Sequence, residues 1–435
     1  MSTDASLTTQ IETLANGLKL IEIHQPRLHT VNISLFIKTG SRFEKAHDNG
    51  LSHFLEHMIF RGTASHPTAF QLNQAFEKLG ANINGSTTPD STEYTVTLPV
   101  QSVITASSLL FEMMATPKFS EVETERKIIT EEILEDFDEN QQCIDIDALS
   151  RKRVWHNCSL GAPITGSVEN VLKFQNDDLN RWYANNYTAP NMILCISGDI
   201  TATSIRSHIR NCFSQLKNGT RRKIDPFAKD DDGKFSTQYL HVHKPGSQTQ
   251  LRLAFATPGL LDQQYPVIEI LLRLIDDGMS TPLHRRIFED LALAYNIGAE
   301  LEAYEDTGVL NIDAQASHEN ILAIAEESLR IIQNLKMGRF DADDVAKAKM
   351  RAMWDLESLS DFPGALNAWY GEQELYRSSR TPEQRIALMR DITAQHIIEM
   401  ADRVFCKKNF FITTVGMQSS KQQRQLEKID LDATA

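Results

Sequence analysis

The segment Asn191-Met192-Ile193-Leu194-Cys195-Ile196-Ser197-Gly198 returns 218 residues later as Asn409-Phe410-Phe411-Ile412-Thr413-Thr414-Val415-Gly416. Each copy is an apolar run of strand length closed by glycine, the pattern of a buried strand. Each also follows an aromatic-containing helical stretch, Arg181-Trp182-Tyr183 in one case and Arg403-Val404-Phe405 in the other. A repeat offset by half of a 435-residue chain leaves few architectures open. A length beyond what one hydrophobic core serves points the same way, to two similar domains. The boundaries read as 1–217 for the first domain, 218–235 for a linker and 236–435 for the second. The linker rests on Asn218-Gly219, the basic Arg221-Arg222-Lys223, Pro226 and the acidic Asp230-Asp231-Asp232-Gly233, a polar and turn-rich run.

Within the first half, Leu18 to Ile23 and Val31 to Lys38 alternate apolar and polar residues and predict half-buried strands. Gly50 to Phe60 has apolar residues at helical spacing. Thr68 is placed to cap a helix carrying Leu72, Ala75, Phe76 and Leu79, with Gly80 as its terminator. The Thr-rich runs Asn82 to Thr88 and Thr92 to Leu98 predict two strands joined at Pro89-Asp90. A long acidic helix is expected from Glu121 to about Asn140. In the second half, Leu251 to Ala256 and Gly308 to Ala314 read as strands and Asn320 to Leu335 as an amphipathic helix. The fold class is therefore α+β, with two layered domains, each a mainly antiparallel sheet packed with helices.

A net charge of −14, from 44 Lys and Arg against 58 Asp and Glu, opposes nucleic-acid binding, which requires a cationic surface. No run of 18 apolar residues occurs, so no membrane span is expected, and Met1 to Leu7 lacks the basic and apolar regions of a signal peptide. Five cysteines without C-x-x-C spacing read as reduced and structural. The expected compartment is the cytoplasm.

The chemistry concentrates at His53-Phe54-Leu55-Glu56-His57. On a helix, residues three and four apart share a face, so His53, Glu56 and His57 reach one patch. H-x-x-E-H inverts the H-E-x-x-H order of zinc peptidases. A catalytic zinc takes three protein ligands and keeps an open position. His53 and His57 fill two places, and Glu56 beside them suits a general base. The acidic helix offers Glu131, Glu132 and Glu135 for the third place, and the residue pattern does not choose among them. Glu125 and Glu132 lie seven apart, on one face. Moving the ligand positions forward by the repeat offset lands on Leu271, Ile275 and Met350, and Pro266 to Ser280 contains no histidine. One half carries a metal site and the other does not.

The stretch His53-Phe54-Leu55-Glu56-His57-Met58-Ile59-Phe60-Arg61-Gly62-Thr63 resembles the signature of the M16 family of inverse-zincin metallopeptidases. Three further blocks are similar in the same order: Gly40 to Glu44, Gly80 to Thr87, and Glu125 to Glu132. The resemblance implies one Zn²⁺ per chain, with Glu132 as third ligand, Glu56 as catalytic base and Glu125 as a second acidic residue supporting catalysis. It also implies that substrate binds as an added strand on a sheet edge, with Asn84 and Gly85 in the block that forms this edge. An inner strand and an edge strand remain equally open for that block. The family's second domain places an Arg and a Tyr, with six residues between them, against the substrate. Leu291-Ala292-Leu293-Ala294-Tyr295 resembles the block ending in that Tyr, but the residue seven before Tyr295 is Phe288, and Arg285 and Arg286 lie out of register.

That gap implies a partner chain that supplies the missing group, in a homodimer or in a heterodimer with a second M16-like subunit. The expected activity is zinc-dependent hydrolysis of peptides or small unfolded polypeptides. The alternative is a non-catalytic peptide-binding or scaffold subunit.

Overall fold

The computed structural model describes residues 7–26, 28–156, 158–225, 227, 238–378 and 380–431. Two compact units emerge, and neither is contiguous in sequence. The first comprises Met1–Glu135, Ala162–Asp225 and Ser358–Ser379; the second comprises Asp136–Gly161, Pro226–Glu357 and Arg380–Ala435. This differs from division into 1–217 and 236–435, because each unit takes one helix from the opposite half of the chain.

The first unit is built on a six-stranded sheet of β1 (Thr8–Thr13), β2 (Lys19–His24), β3 (Thr30–Ile37), β4 (Ile83–Thr87), β5 (Thr92–Pro99) and β6 (Met192–Gly198), in the order β1-β2-β6-β3-β5-β4. Among the described residues only the β2–β6 pair of this sheet is parallel. The second unit has five strands, β7 (Tyr239–His243), β8 (Thr249–Pro258), β9 (Asn296–Ala303), β10 (Thr307–Ala316) and β11 (Phe410–Gly416), in the order β7-β11-β8-β10-β9. Its single parallel pair among the described residues is β7–β11. With β1 set aside the two orders are the same, and the repeated apolar segments are β6 and β11, each next to the outer strand it pairs with in parallel. The fold is α+β, as the alternating patterns predict.

In the first unit one sheet face packs on the helices Leu51–Ile59, Ala69–Glu77 and Val103–Ala115, where Leu35, Leu55, Phe76 and Leu110 join one core. Thr68 caps the second of these helices by accepting from Gln71 N–H. The other face receives the Pro363–Leu375 helix, which packs on β3 and β6. Asn367 Nδ2 donates to the carbonyls of Asn32 (3.0 Å) and Cys195 (3.2 Å), tying the covering helix to the two central strands. In the second unit the corresponding cover is the Ile146–Val154 helix, on β8 and β11. Strands buried on both faces explain why β6 and β11 lack polar alternation.

Two expectations are corrected. The acidic helix ends at Glu135 rather than near Asn140. There Asp138 Oδ1 accepts from the N–H groups of Asn140 (2.9 Å) and Gln142 (2.8 Å), and such side-chain acceptors compete with a helical ladder. The start of the expected linker is also not free: Arg221 donates to the carbonyls of Glu374 (2.8 Å) and Leu375 (3.1 Å), and Arg222 N–H to Asn191 Oδ1 (3.0 Å), so residues 218–225 belong to the first unit. Pro226 and the run 228–235, including Asp230-Asp231-Asp232-Gly233, lie outside the described residues, as do Met1 to Ser6. Among the described residues no helix is long and apolar enough to cross a membrane.

Candidate metal centre

The Leu51–Ile59 helix has only nine residues, too short to persist alone. Leu51, Phe54, Leu55, Met58 and Ile59 are fully buried on it, and each contributes about 1.5–3 kcal/mol by leaving water. That stripe leaves His53, Glu56 and His57 on the remaining face. The helix N-terminus begins at Gly50, whose φ of +103° is a left-handed conformation, and a Cβ there would lie 2.9 Å from the Thr165 carbonyl oxygen. Glycine has no side chain to cap the helix, and Glu44 supplies the missing acceptor from outside it. Its Oε2 accepts from Gly50 N–H (2.8 Å) and its Oε1 from Ser52 N–H (2.6 Å). A carboxylate at a helix N-terminus also opposes the positive end of the helix dipole. Burial raises the Glu44 pKa, and these hydrogen bonds act against that rise.

The second contribution comes from the Val122–Glu135 helix, anchored by buried Ile129 and Ile133. Glu125 and Glu132, two turns apart, both face the histidines. His53 Nε2 lies 3.5 Å from Glu132 Oε1, and His57 Nε2 lies 3.8 Å from Glu132 Oε2. Among the described residues, His53, His57 and Glu132 form the one group of three that offers ligand atoms within 4.8 Å of one another. A tetrahedral ion with bonds of about 2.0–2.1 Å separates its ligands by roughly 3.3 Å, so this set needs only small adjustments to fit zinc. The donor chemistry, two imidazoles and a carboxylate, suits zinc as well.

His57 Nδ1 is 2.8 Å from Glu125 Oε1, which leaves Nε2 turned toward Glu132. The Glu125 carboxyl is held below the usual range: burial pushes it up, but the His57 hydrogen bond and the Arg61 charge outweigh burial. Arg61 donates to the other Glu125 oxygen through Nε and Nη2, and its Nη1 reaches Glu121 Oε2 at 3.3 Å. Glu56 is pushed up to about 7, chiefly by burial, with the Glu132 and Glu125 charges adding and His57 and the Thr87 hydrogen bond opposing.

His53 is pushed down to about 3, first by burial and then by the neighbouring His57. Its folded pKa thus lies below the unfolded value near 6.5, so the unfolded state takes up the proton first as pH falls. The stability held above pH 6.5 is lost progressively toward pH 3. Between pH 7.5 and 5 the metal-free protein is expected to lose about 2 kcal/mol more than the His53→Gln variant, measured by denaturant unfolding. Parallel pH dependence in the two proteins would contradict this.

Strand β4 is the edge of its sheet, pairing with β5 alone among the described strands, so an inner position for Asn82 to Thr88 is excluded. Asn84 is exposed, and Gly85 sits against the site: a Cβ there would overlap Glu56 Oε1 and lie 2.7 Å from the Phe60 ring. The first unit therefore gathers His53, Glu56, His57, Asn84, Gly85, Glu125 and Glu132. Tyr295 is in the second unit, 87% exposed and edge-on to Phe288 at 5.9 Å. Leu271 and Ile275 are fully buried on the Tyr265–Ile275 helix of the second unit, which occupies the place in its repeat that Leu51–Ile59 holds in the first. Sequence reasoning missed Arg61, Glu44 and Thr87. The carboxylate partner of Arg61 lies 64 positions away and left no local signal.

A family profile described as "Insulinase (Peptidase family M16)" matches residues 19–167, and one described as "Peptidase M16 inactive domain" matches residues 173–352. An uncharacterized zinc protease of Rickettsia bellii is 26% identical over 399 residues, covering 91% of this chain and 94% of that protein. A probable mitochondrial-processing peptidase subunit beta of Arabidopsis thaliana is 23% identical over 419 residues, covering 94% of this chain and 78% of that one. The crystal structure of a protease from Helicobacter pylori shares the fold, with a TM-score of 0.86 at 18% identity over 94% of this chain and 100% of that one. Two M16 profiles in series on one chain, the second described as inactive and falling where the repeat lacks ligands, establish that this protein belongs to peptidase family M16.

Proposed function

We propose that this chain is a zinc-dependent endopeptidase acting on peptides or small unfolded polypeptides, with one Zn²⁺ per chain. The observation that carries the reading is the convergence of His53, His57 and Glu132 beside the Glu56 carboxylate. His53, His57 and Glu132 would hold the metal. Bound zinc supplies Lewis-acid polarisation of a carbonyl and acidifies water at the site. Glu56 takes a proton from the attacking water and returns it to the leaving amine; a pKa near 7 in the metal-free protein suits both roles. Glu125 accepts from His57 Nδ1–H and keeps that ring oriented. An extended peptide would pair with the free edge of β4, where backbone groups near Asn84 and Gly85 grip any sequence.

The chain works as one member of a homodimer or of a heterodimer with a second M16-like subunit. Tyr295 contacts the substrate, and a partner provides the arginine that Phe288 displaces. We place the protein in the cytoplasm, in keeping with five cysteines that carry no C-x-x-C spacing. The test is zinc content together with cleavage of a peptide library read by mass spectrometry, for the chain alone and with any protein encoded beside it. About one zinc per chain and cleavage abolished by a chelator are expected. Stoichiometric zinc without cleavage under either condition would establish the non-catalytic subunit instead.

A further inference from the structure

We infer that Arg61 is a positioning residue for the metal centre, acting on His57 through Glu125; this rests on the reading of His53, His57 and Glu132 as metal ligands. The guanidinium lies two residues beyond the Leu51–Ile59 helix, where the Phe60 and Arg61 N–H groups close the last turn onto His57 and Met58 carbonyls. From there it reaches the other ligand-bearing helix at two points, Glu121 at its start and Glu125 one turn in.

Glu125 divides its oxygens between two tasks. Oε2 takes both Arg61 donors, which leaves Oε1 to meet His57 Nδ1 at 2.8 Å. The carboxylate is 4% exposed and stands among Glu56, Glu132 and the two histidines, so without a cation it would be a buried charge beside others of the same sign. Among the described residues Arg61 is the one Lys or Arg paired with it. By fixing one oxygen, Arg61 fixes the plane of the carboxylate and hence the direction of the other. That direction sets the His57 tautomer, Nδ1–H, and points the Nε2 lone pair at Glu132. A lysine offers the charge without the pair of donors on one edge, so it serves this role in part only.

The experiment measures zinc dissociation constants by competition with a chromophoric chelator for wild type, R61M, R61K, E125Q and the R61M/E125Q double variant. R61M is expected to weaken zinc binding about 10–100-fold, R61K less. The double variant should bind as E125Q does, because Arg61 has no route to the metal once the Glu125 charge is gone. Wild-type affinity in R61M, or a further full loss on adding R61M to E125Q, would overturn the inference; the latter would make Arg61 a brace between helices. A wild-type chain that binds no zinc overturns instead the functional reading beneath it.

Discussion

Replacing Glu56 by glutamine is expected to lower kcat by about 10²–10⁴-fold, while zinc stays at about one per chain and KM changes little. The size follows from the proton transfers that the proposed mechanism assigns to the carboxylate and that an amide cannot make. Zinc should be retained because Glu56 is not among the three residues whose ligand atoms converge. The fold should tolerate the change as well. Burial already pushes the Glu56 pKa up to about 7, so near neutrality a neutral amide of the same shape replaces a group that is protonated half the time. Steady-state kinetics on a cleaved peptide, with metal analysis of the same samples, decides the matter. Hydrolysis at the wild-type rate by the glutamine variant would remove Glu56 from the mechanism.

Glu132→Ala should instead empty the site. A structural four-ligand zinc site binds with about 10–16 kcal/mol, so one ligand is worth roughly 3 kcal/mol, a hundredfold or more in affinity. After dialysis the variant should hold less than about a tenth of an equivalent of zinc and show no chelator-sensitive cleavage. Glu131→Ala and Glu135→Ala act as controls, since both residues are exposed and neither approaches the histidines as Glu132 does. Zinc loss in either control, with retention in Glu132→Ala, would reassign the third ligand.

This choice among three glutamates shows where the sequence stops being informative. His53, Glu56 and His57 lie within five residues, so helical geometry alone places them on one patch. Glu132 comes from another helix, and the residue pattern around it fits Glu131 and Glu135 as well; the family resemblance favoured it, and the packing of Ile129 and Ile133 turns it toward the histidines. The edge position of β4 was equally invisible, because Thr-rich alternation from Asn82 to Thr88 describes an inner or an outer strand. Only the strand order separates the two. Arg61 was hidden for a related reason, since a charge beside a helix end reads as solvated until its distant carboxylate is known.

The domain boundaries show the same limit on a larger scale. The duplication was legible because apolar runs such as β6 and β11 must be written in apolar residues wherever a strand is covered on both faces. What covers them was not. The helices Pro363–Leu375 and Ile146–Val154 each pack in the unit built mainly from the opposite half of the chain, and nothing in an amphipathic pattern names the sheet it will meet.

The sequence by itself therefore determined the two-fold repetition, the α+β class, the His53–Glu56–His57 face and the absence of ligands at Leu271 and Ile275. All of these depend on periodicity or spacing within a single element. Tertiary structure alone decided the exchanged helices, the free edge at β4, the meeting of Glu132 with two histidines and the Arg61–Glu125–His57 chain. Those depend on contacts between segments far apart in the chain, which are set by the packing of whole elements and leave no mark in local residue order.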